Sequence, residues 1–348
     1  MTMHTSNGPS DRSELSPRAF LFQVWRHALL ARALGIAAEL GIADLVAETP
    51  RNAAELAAAT GAHAGALYRL LRMLAAHGVF AEDDQGRFEI TPLAGALQTD
   101  RDDSVRDALR LRWQDVAWDA YRQLPHAVMT GETAFDRAFG MPRYEYMAIH
   151  PDVNAAFDAN MAVVSQPENA AIAQAYDFGQ FTHVVDIGGG RGGLLAAVLR
   201  TYPKVRGVLY DQPHVVAEPT YLRNAGLMDQ CETVGGDFFL SVPQGYEVYM
   251  LKRILNDWDD AKCITVLQRC REAMAPDGRL LVMQGVLRPG NTPDPNKDLD
   301  LAMLALNHGR ERTETEFRAL YDEAGLRLSR IIPTPLPSTL SVVEGVRG

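Results

Sequence analysis

The stretch Asp186-Ile-Gly188-Gly-Gly190-Arg-Gly192-Gly193 holds the residue types best suited to gripping a ligand. Val184-Val185-Asp186-Ile187 reads as a short strand and Gly193 to Tyr202 as a helix, so the glycines fall at a strand-to-helix turn. Glycine there lets the backbone approach a ligand closely. Gly188-x-Gly190-x-x-Gly193 also satisfies a dinucleotide fingerprint. Three neighbours point to a different ligand. Asp186 stands just before the glycines, where a carboxylate meets a cationic group rather than a pyrophosphate. The next strand ends in Asp211, placed for two ribose hydroxyls. Gly236-Asp237-Phe238 follows about one strand later and offers an acceptor and an aromatic face to an adenine. A cofactor with an ammonium group, a ribose and an adenine, and no phosphate to clamp, is S-adenosylmethionine.

The elements that must hold these residues alternate. Arg206 to Tyr210, Tyr246 to Leu251 and Arg279 to Val286 read as strands, with a helix from Asp260 to Met274. This is a doubly wound α/β pattern. Leu326 to Ile332 and Ser338 to Val346 are expected to close as an antiparallel hairpin on an otherwise parallel sheet. Upstream, Ala19 to about Val116 is mostly helical and alanine-rich. Asn52-Ala-Ala-Glu55 has the form of a capping box, and Thr60-Gly61 is a stop signal. Ala64 to His77 carries Leu67, Leu70, Leu71 and Leu74 on one face. Val79-Phe80-Ala81 and Arg87-Phe88-Glu89-Ile90 flank Asp83-Asp84-Gln85-Gly86, a hairpin signal. Two helices and a hairpin make a winged-helix unit. Residues 117–170 read as helices joined at Gly131 and Gly140. The expected division is a flexible tail over 1–17, a winged-helix dimerisation domain over 18–115, a helical linker with acceptor-pocket residues over 116–180, and a Rossmann-like catalytic domain over 181–348.

Composition narrows the function classes. The 348 residues are 47% hydrophobic and 22% charged, an ordinary globular mix rather than a disordered or disulfide-scaffold chain. The net charge of −10 argues against broad phosphate-backbone binding. Arg69 and Arg72 are the only charges on the second N-terminal helix, too few for a groove reader. Packing or dimerisation is expected there, and no nucleic acid. Arg26, His27, Arg32 and Glu39 interrupt the apolar stretch Phe20 to Leu40, so no membrane span is expected. The start lacks the apolar core of a signal peptide, which makes a reducing cytoplasm the default. Cys263 and Cys270 share a helix face and read, with Cys231, as free thiols; the pair reads as small buried hydrophobes. No cluster has metal-ligand spacing, so no metal is expected.

Four motifs in order then carry a resemblance. They are Val185-Asp-Ile-Gly-Gly-Gly-Arg-Gly-Gly193, Gly236-Asp-Phe238, Leu251-Lys-Arg-Ile-Leu-Asn-Asp-Trp-Asp259 and Gly309-Arg-Glu-Arg-Thr-Glu314. Together they resemble the S-adenosylmethionine-dependent O-methyltransferases of the plant and bacterial small-molecule type. The nearest kind are bacterial natural-product enzymes, anthracycline- and mitomycin-like, that decorate aromatic polyketides and related compounds. The resemblance covers nearly the whole chain after residue 17. It implies a class I methyltransferase domain, a homodimer built by the N-terminal domain and a small aromatic acceptor. It also implies Gly188 and Gly190 under the methionine part of the cofactor, Asp211 at the ribose, and Asp237 and Phe238 at the adenine. Lys252 falls where the family has another cofactor contact; a solvated strand end is the other reading.

The sequence departs from the family where the chemistry would be. The family's base is a histidine in Leu-His-Asp-Trp, and here the run is Leu255-Asn256-Asp257-Trp258. An amide takes no proton at neutral pH. The acidic residue that would orient the histidine falls on Gln284. General-base catalysis contributes about 10²–10⁴-fold. Proximity and orientation supply roughly 7–11 kcal/mol. Methyl transfer by alignment is therefore expected to survive, with Asn256 orienting the acceptor. His308 is a relocated base or a surface histidine. Glu311 matches a position facing the family's histidine, or pairs with a neighbouring arginine. The acceptor pocket is expected to draw on Asn160, Met161, Trp258, Met303 and Asn307, since methionine and tryptophan grip flat rings. Oxygen is the expected acceptor atom. The alternatives are nitrogen or ring carbon, a repurposed site for hydroxylation, decarboxylation or cyclisation, and a winged-helix regulator that senses a small molecule.

Overall fold

The structure, a computed structural model, describes residues 16–101, 103–112 and 115–348. The tail expected over 1–17 lies outside the described residues apart from Ser16 and Pro17. The chain divides into two compact units, 1–114 and 115–348.

In the first unit, Ser16 caps the helix Pro17–Glu39 by accepting from the Ala19 amide. Helices Ala53–Thr60 and Ala64–Ala76 follow, with strands β1 (Arg51–Asn52), β2 (Phe80–Glu82) and β3 (Arg87–Ile90). The three strands form an antiparallel sheet in the order β1-β3-β2. The capping box at Asn52 and Glu55 is present, and Gly61 ends its helix at φ 74°. Asp83 Oδ1 accepts from the amides of Gln85 and Arg87 and so sets the hairpin. Leu56, Leu67, Leu71, Leu74, Phe80 and Phe88 form the core. On Pro17–Glu39, Leu21, Phe22, Val24, Trp25 and Leu29 remain exposed.

The second unit is built on seven strands. They are β4 (His183–Ile187), β5 (Arg206–Asp211), β6 (Cys231–Gly235), β7 (Val248–Lys252), β8 (Arg279–Gln284), β11 (Leu326–Pro333) and β12 (Ser341–Arg347), in the order β11-β12-β8-β7-β4-β5-β6. Strands β4 to β8 run parallel, and β12 is antiparallel to both of its neighbours, the hairpin the sequence anticipates. Side chains alternate across the sheet. On β7, Tyr249 and Leu251 enter one core with Cys263, Cys270, Phe317 and Tyr321, while Val248 and Met250 enter the other with Leu195, Leu199 and Val342. Both helical cysteines are thus fully buried hydrophobes.

Strand β4 lies between β5 and β7, so the chain winds outward first on one side and then on the other. The reversal leaves a crevice at the carboxyl ends of these strands. A short parallel pair, β9 (Val286–Leu287) with β10 (Arg312–Thr313), brings residues 311–312 to the end of β8. The helix Pro151–Ala175 carries Pro167 in its interior. Among the described residues no helix is long and apolar enough to cross a membrane.

Candidate active site

Asp186 is the buried penultimate residue of β4, and its Oδ2 has no hydrogen-bond partner among the described residues. Burial pushes its carboxyl up to about 7, against the pull of the Lys252 ammonium. Gly188 (φ 67°) and Gly190 (φ 58°) both need the left-handed region. A Cβ on Gly188 would lie 2.5 Å from the Ile254 side chain and 3.7 Å from the Phe238 ring. Asp211 accepts from the Gly190 amide at 2.8 Å and from the Gln212 amide at 2.7 Å, which ties the glycine turn to the end of β5. Asp237 is exposed and accepts from the Phe239 amide at 2.8 Å. A buried, unpartnered carboxylate oxygen beside left-handed glycines fits a ligand with a cationic group that packs against backbone. The residues present therefore fit S-adenosylmethionine.

Lys252 is not a solvated strand end. Its side chain is 11% exposed, and Nζ donates to Asn169 Oδ1 at 2.7 Å and lies 3.5 Å from Glu168. Burial pulls its pKa down to about 8. Beside it, Arg253 takes φ 54°, the one left-handed residue other than glycine among the described residues, and pairs with Glu168.

Across the crevice, Leu255–Asp257 forms one 3₁₀ turn. Asn256 Nδ2 donates to Glu311 Oε1 at 3.1 Å, and Gln284 Nε2 donates to Glu311 Oε2 at 3.1 Å. All three side chains are buried. Burial pushes the Glu311 carboxyl up to about 7, while the two amides and Arg253 pull it down. An ionised carboxylate only accepts, so both amide nitrogens face it and both amide oxygens turn away. Those oxygens, Asn256 Oδ1 and Gln284 Oε1, have no partner among the described residues. Glu311 thus bonds to amides rather than to a neighbouring arginine.

Asp257 gathers residues expected at the acceptor. Its Oδ2 accepts from the Tyr144 hydroxyl and its Oδ1 from Asn307 Nδ2, each at 2.7 Å. Asn307 Nδ2 also meets Met303 Sδ at 3.6 Å. The Trp258 ring lies beside Tyr144, with centroids 6.4 Å apart and planes 20° apart, and takes the Phe239 edge at 5.0 Å. Asn160 and Met161 lie one turn beyond Phe157, whose ring meets Tyr144 at 6.5 Å. Asn160 is buried with its Oδ1 unpartnered, and so is Asn307. His308 is exposed, and its Nε2 lies 2.8 Å from Asp136. Geometry joins it to that surface carboxylate and not to the Asn256–Gln284–Glu311 cluster.

Several positioning residues escaped the sequence reading. Arg312 is fully buried; its guanidinium donates to the Leu255 and Trp258 carbonyls at 2.8 and 3.2 Å and to Asp260 at 2.7 Å. It therefore holds both ends of the turn that carries Asn256. Gly309 packs on the same turn, where a Cβ would lie 2.1 Å from the Asn256 carbonyl oxygen. Tyr144 and Glu168 were likewise missed. Arg312 and Gly309 stand inside a motif noted in the sequence, but nothing local signals the burial of an arginine.

A family model for the O-methyltransferase domain matches residues 121–327. The chain belongs to that O-methyltransferase family. A second model, the O-methyltransferase dimerisation domain, matches residues 22–100 of this methyltransferase. The methyltransferase is 44% identical to the phenazine O-methyltransferase PhzM of Lysobacter antibioticus, over 94% of this chain and 95% of that one. It is 40% identical to the mitomycin biosynthesis 6-O-methyltransferase of Streptomyces lavendulae, over 94% and 95%. Among solved structures, the O-methyltransferase NcsB1 from neocarzinostatin biosynthesis, in complex with S-adenosylmethionine and 2-hydroxy-5-methyl naphthoic acid, matches with a TM-score of 0.80 at 33% identity, over 92% of this chain and 96% of that one. The mostly parallel sheet with its antiparallel end is the class I methyltransferase architecture.

Proposed function

We propose that this enzyme methylates a hydroxyl oxygen of an aromatic or polycyclic secondary metabolite with S-adenosylmethionine, and that Asn256 aligns the acceptor in place of a base. The observation that carries this reading is Asn256 itself: buried, with Nδ2 on Glu311 and Oδ1 unpartnered. The cofactor, when bound, supplies an electrophilic methyl group on a sulfonium. Asp186 would hold its ammonium, Asp211 its ribose, and Asp237 and Phe238 its adenine, with Gly188 and Gly190 giving backbone access and Lys252 steadying the end of β7. Asn256 Oδ1 accepts a hydrogen bond from the acceptor's hydroxyl and so orients the oxygen, and the proton which that oxygen loses on methylation passes to solvent water. Trp258, Met161 and Met303 supply apolar surface to a flat ring, and Asn160 and Asn307 offer further oxygen acceptors. No proton transfer is assigned to Asn256 or Gln284, and an acidic phenol suits such a site. Glu311 acts by holding both amides, and His308 serves the surface pair with Asp136.

The N-terminal unit is proposed to be a winged-helix dimerisation module. Its exposed Leu21, Phe22, Val24, Trp25 and Leu29 suit a second copy of the chain. A cytoplasmic homodimer without nucleic-acid or membrane partners is the corresponding assembly. Methylation at nitrogen or ring carbon is the second reading, favoured by the amides at 256 and 284 because such acceptors need less help from a base.

The test is stoichiometric. S-adenosylhomocysteine should accumulate one-for-one with methylated product, followed by chromatography and mass spectrometry. Cofactor binding without methyl transfer to phenols, amines or enols overturns the reading. Asn256→His should change turnover by less than about tenfold; a gain of ~10²-fold, the size of general-base catalysis, would show instead that proton removal limits the rate.

Cofactor affinity should also depend on pH. Asp186 attracts a cation only when ionised, and its carboxyl titrates near about 7. Affinity is expected to level off above that value and to weaken by up to about tenfold per unit as pH falls below it. Calorimetric titration from about pH 5.5 to 8.5 measures this slope. Asp186→Asn should bind weakly at every pH and remove it.

A further inference from the structure

Arg143 opens the short helix Arg143–Ile149, and its guanidinium lies over the Phe157 ring at 4.6 Å from the centroid. Phe157 meets Tyr144 edge-on, and Tyr144 lies beside Trp258. The cation therefore stands in the aromatic group that borders the candidate acceptor residues. Arg143 is half-buried, and desolvation lowers its pKa from the usual arginine value.

Other cations of this unit pair with carboxylates, and Arg143 does not. Lys252 and Arg253 share Glu168, and Arg310 and Arg312 share Asp260. Among the described residues no carboxylate lies within ion-pairing distance of Arg143, and its recorded side-chain partner is a ring. Asp257 acts on it only through space, and its two oxygens accept from Tyr144 and Asn307. Stacking on one ring leaves the N–H donors of a half-buried cation free for a further partner. A guanidinium also carries five N–H donors in a planar fork that matches a carboxylate with two parallel bonds. The polar atoms on the acceptor side sort accordingly. Asn160, Asn256 and Asn307 present unpartnered oxygens, which suit ring hydroxyls. An acidic substituent finds its complement in Arg143.

We propose that Arg143 selects acceptors that carry a carboxylate on the aromatic ring, by a bidentate ion pair with that group. The proposal rests on the aromatic-acceptor reading above and adds the substituent that the site recognises.

Binding to the full-length protein, saturated with S-adenosylhomocysteine, separates the two. Three probes are titrated by calorimetry: 3-hydroxy-2-naphthoate, its methyl ester and 2-naphthol. The acid should bind about 10–100-fold more tightly than either neutral probe, the range for a hydrogen-bonded charged group. Arg143→Met should abolish that preference while 2-naphthol affinity changes by less than about twofold, and Arg143→Lys should restore part of it, since lysine keeps the charge and loses the fork. Equal affinity of acid and ester for the unaltered protein overturns the proposal without any variant. So does a preference that survives Arg143→Met. If none of the three probes binds while S-adenosylhomocysteine does, the aromatic-acceptor reading falls with it.

Discussion

Arg312→Met is expected to cost about 3–5 kcal/mol of stability, the cost of breaking a buried charged network, and to remove nearly all turnover. Arg312 has no exposed surface, and its guanidinium binds the carbonyls of Leu255 and Trp258 together with Asp260. Methionine fills similar volume but donates nothing. Two backbone carbonyls at the ends of the 255–258 turn then lose a charged donor in a place water does not easily reach, and each such loss is destabilising. For a unit of this size each kcal/mol moves the melting temperature by about 2–4 °C, so a drop of roughly 10 °C is expected. Asp260→Asn separates this account from simple loss of an ion pair. Asp260 is 49% exposed on its side chain and is shared with Arg310. Its removal should cost about 1 kcal/mol or less. Chemical denaturation followed by tryptophan fluorescence compares the two variants; equal losses would contradict the assignment of Arg312 to the turn.

Gly309→Ala should separate catalysis from cofactor binding. The added methyl would lie 2.1 Å from the Asn256 carbonyl oxygen and 2.5 Å from the Trp258 nitrogen, both of them backbone atoms. A flexible side chain would swing aside, but a backbone turn pinned by Arg312 moves only as a whole. Overpacking of this kind costs about 1–3 kcal/mol. The kinetic effect is larger, because a misplacement of about 1 Å in a site proposed to work by alignment costs on the order of 10²-fold. Asp186 and Asp211, the residues proposed for the cofactor, belong to β4 and β5 and share no hydrogen bond with this turn among the described residues. The expected result is a kcat lowered about 100-fold with S-adenosylmethionine affinity within a factor of a few. Steady-state kinetics and calorimetry on the same preparation check both halves, and a matching loss of affinity would show that the turn and the crevice move together.

The parts of this protein that were legible in its sequence are those whose physics is local. Strands β4, β5, β7 and β8 are buried on both faces and so write themselves as apolar runs. The edge strand β6 has no such run, since its residues are half-buried or exposed, and it escaped notice. The glycine turn announced itself because left-handed backbone needs glycine, and Asp186 and Asp211 because each ends a readable strand. The replacement of histidine by Asn256 was visible as a departure, and its coupling to Gln284 and Glu311 followed from positions the family uses. Other contributions depend on contacts between distant residues. Tyr144 reaches Asp257, and Glu168 reaches Lys252 and Arg253. No spacing rule connects such pairs. Lys252 was left open between contact and solvated end because only the position of Asn169 and Glu168 decides it. His308 was attractive as the titratable group nearest in sequence, and only its partner Asp136 shows where it points.

The two apolar clusters on the faces of the large sheet contain none of Arg143, Asn256, Gln284, Asn307 or Glu311. Trp258, proposed for the acceptor, does pack against one of these clusters, so scaffold and site meet at its ring, and changes there are not expected to add simply. An exchange at position 256 or 284 removes an amide that donates to the buried Glu311 carboxylate, so the scaffold feels it as well as the site. Exchanges at Gly309 or Arg312 reach furthest, because there the turn that carries Asn256 and the scaffold are one object.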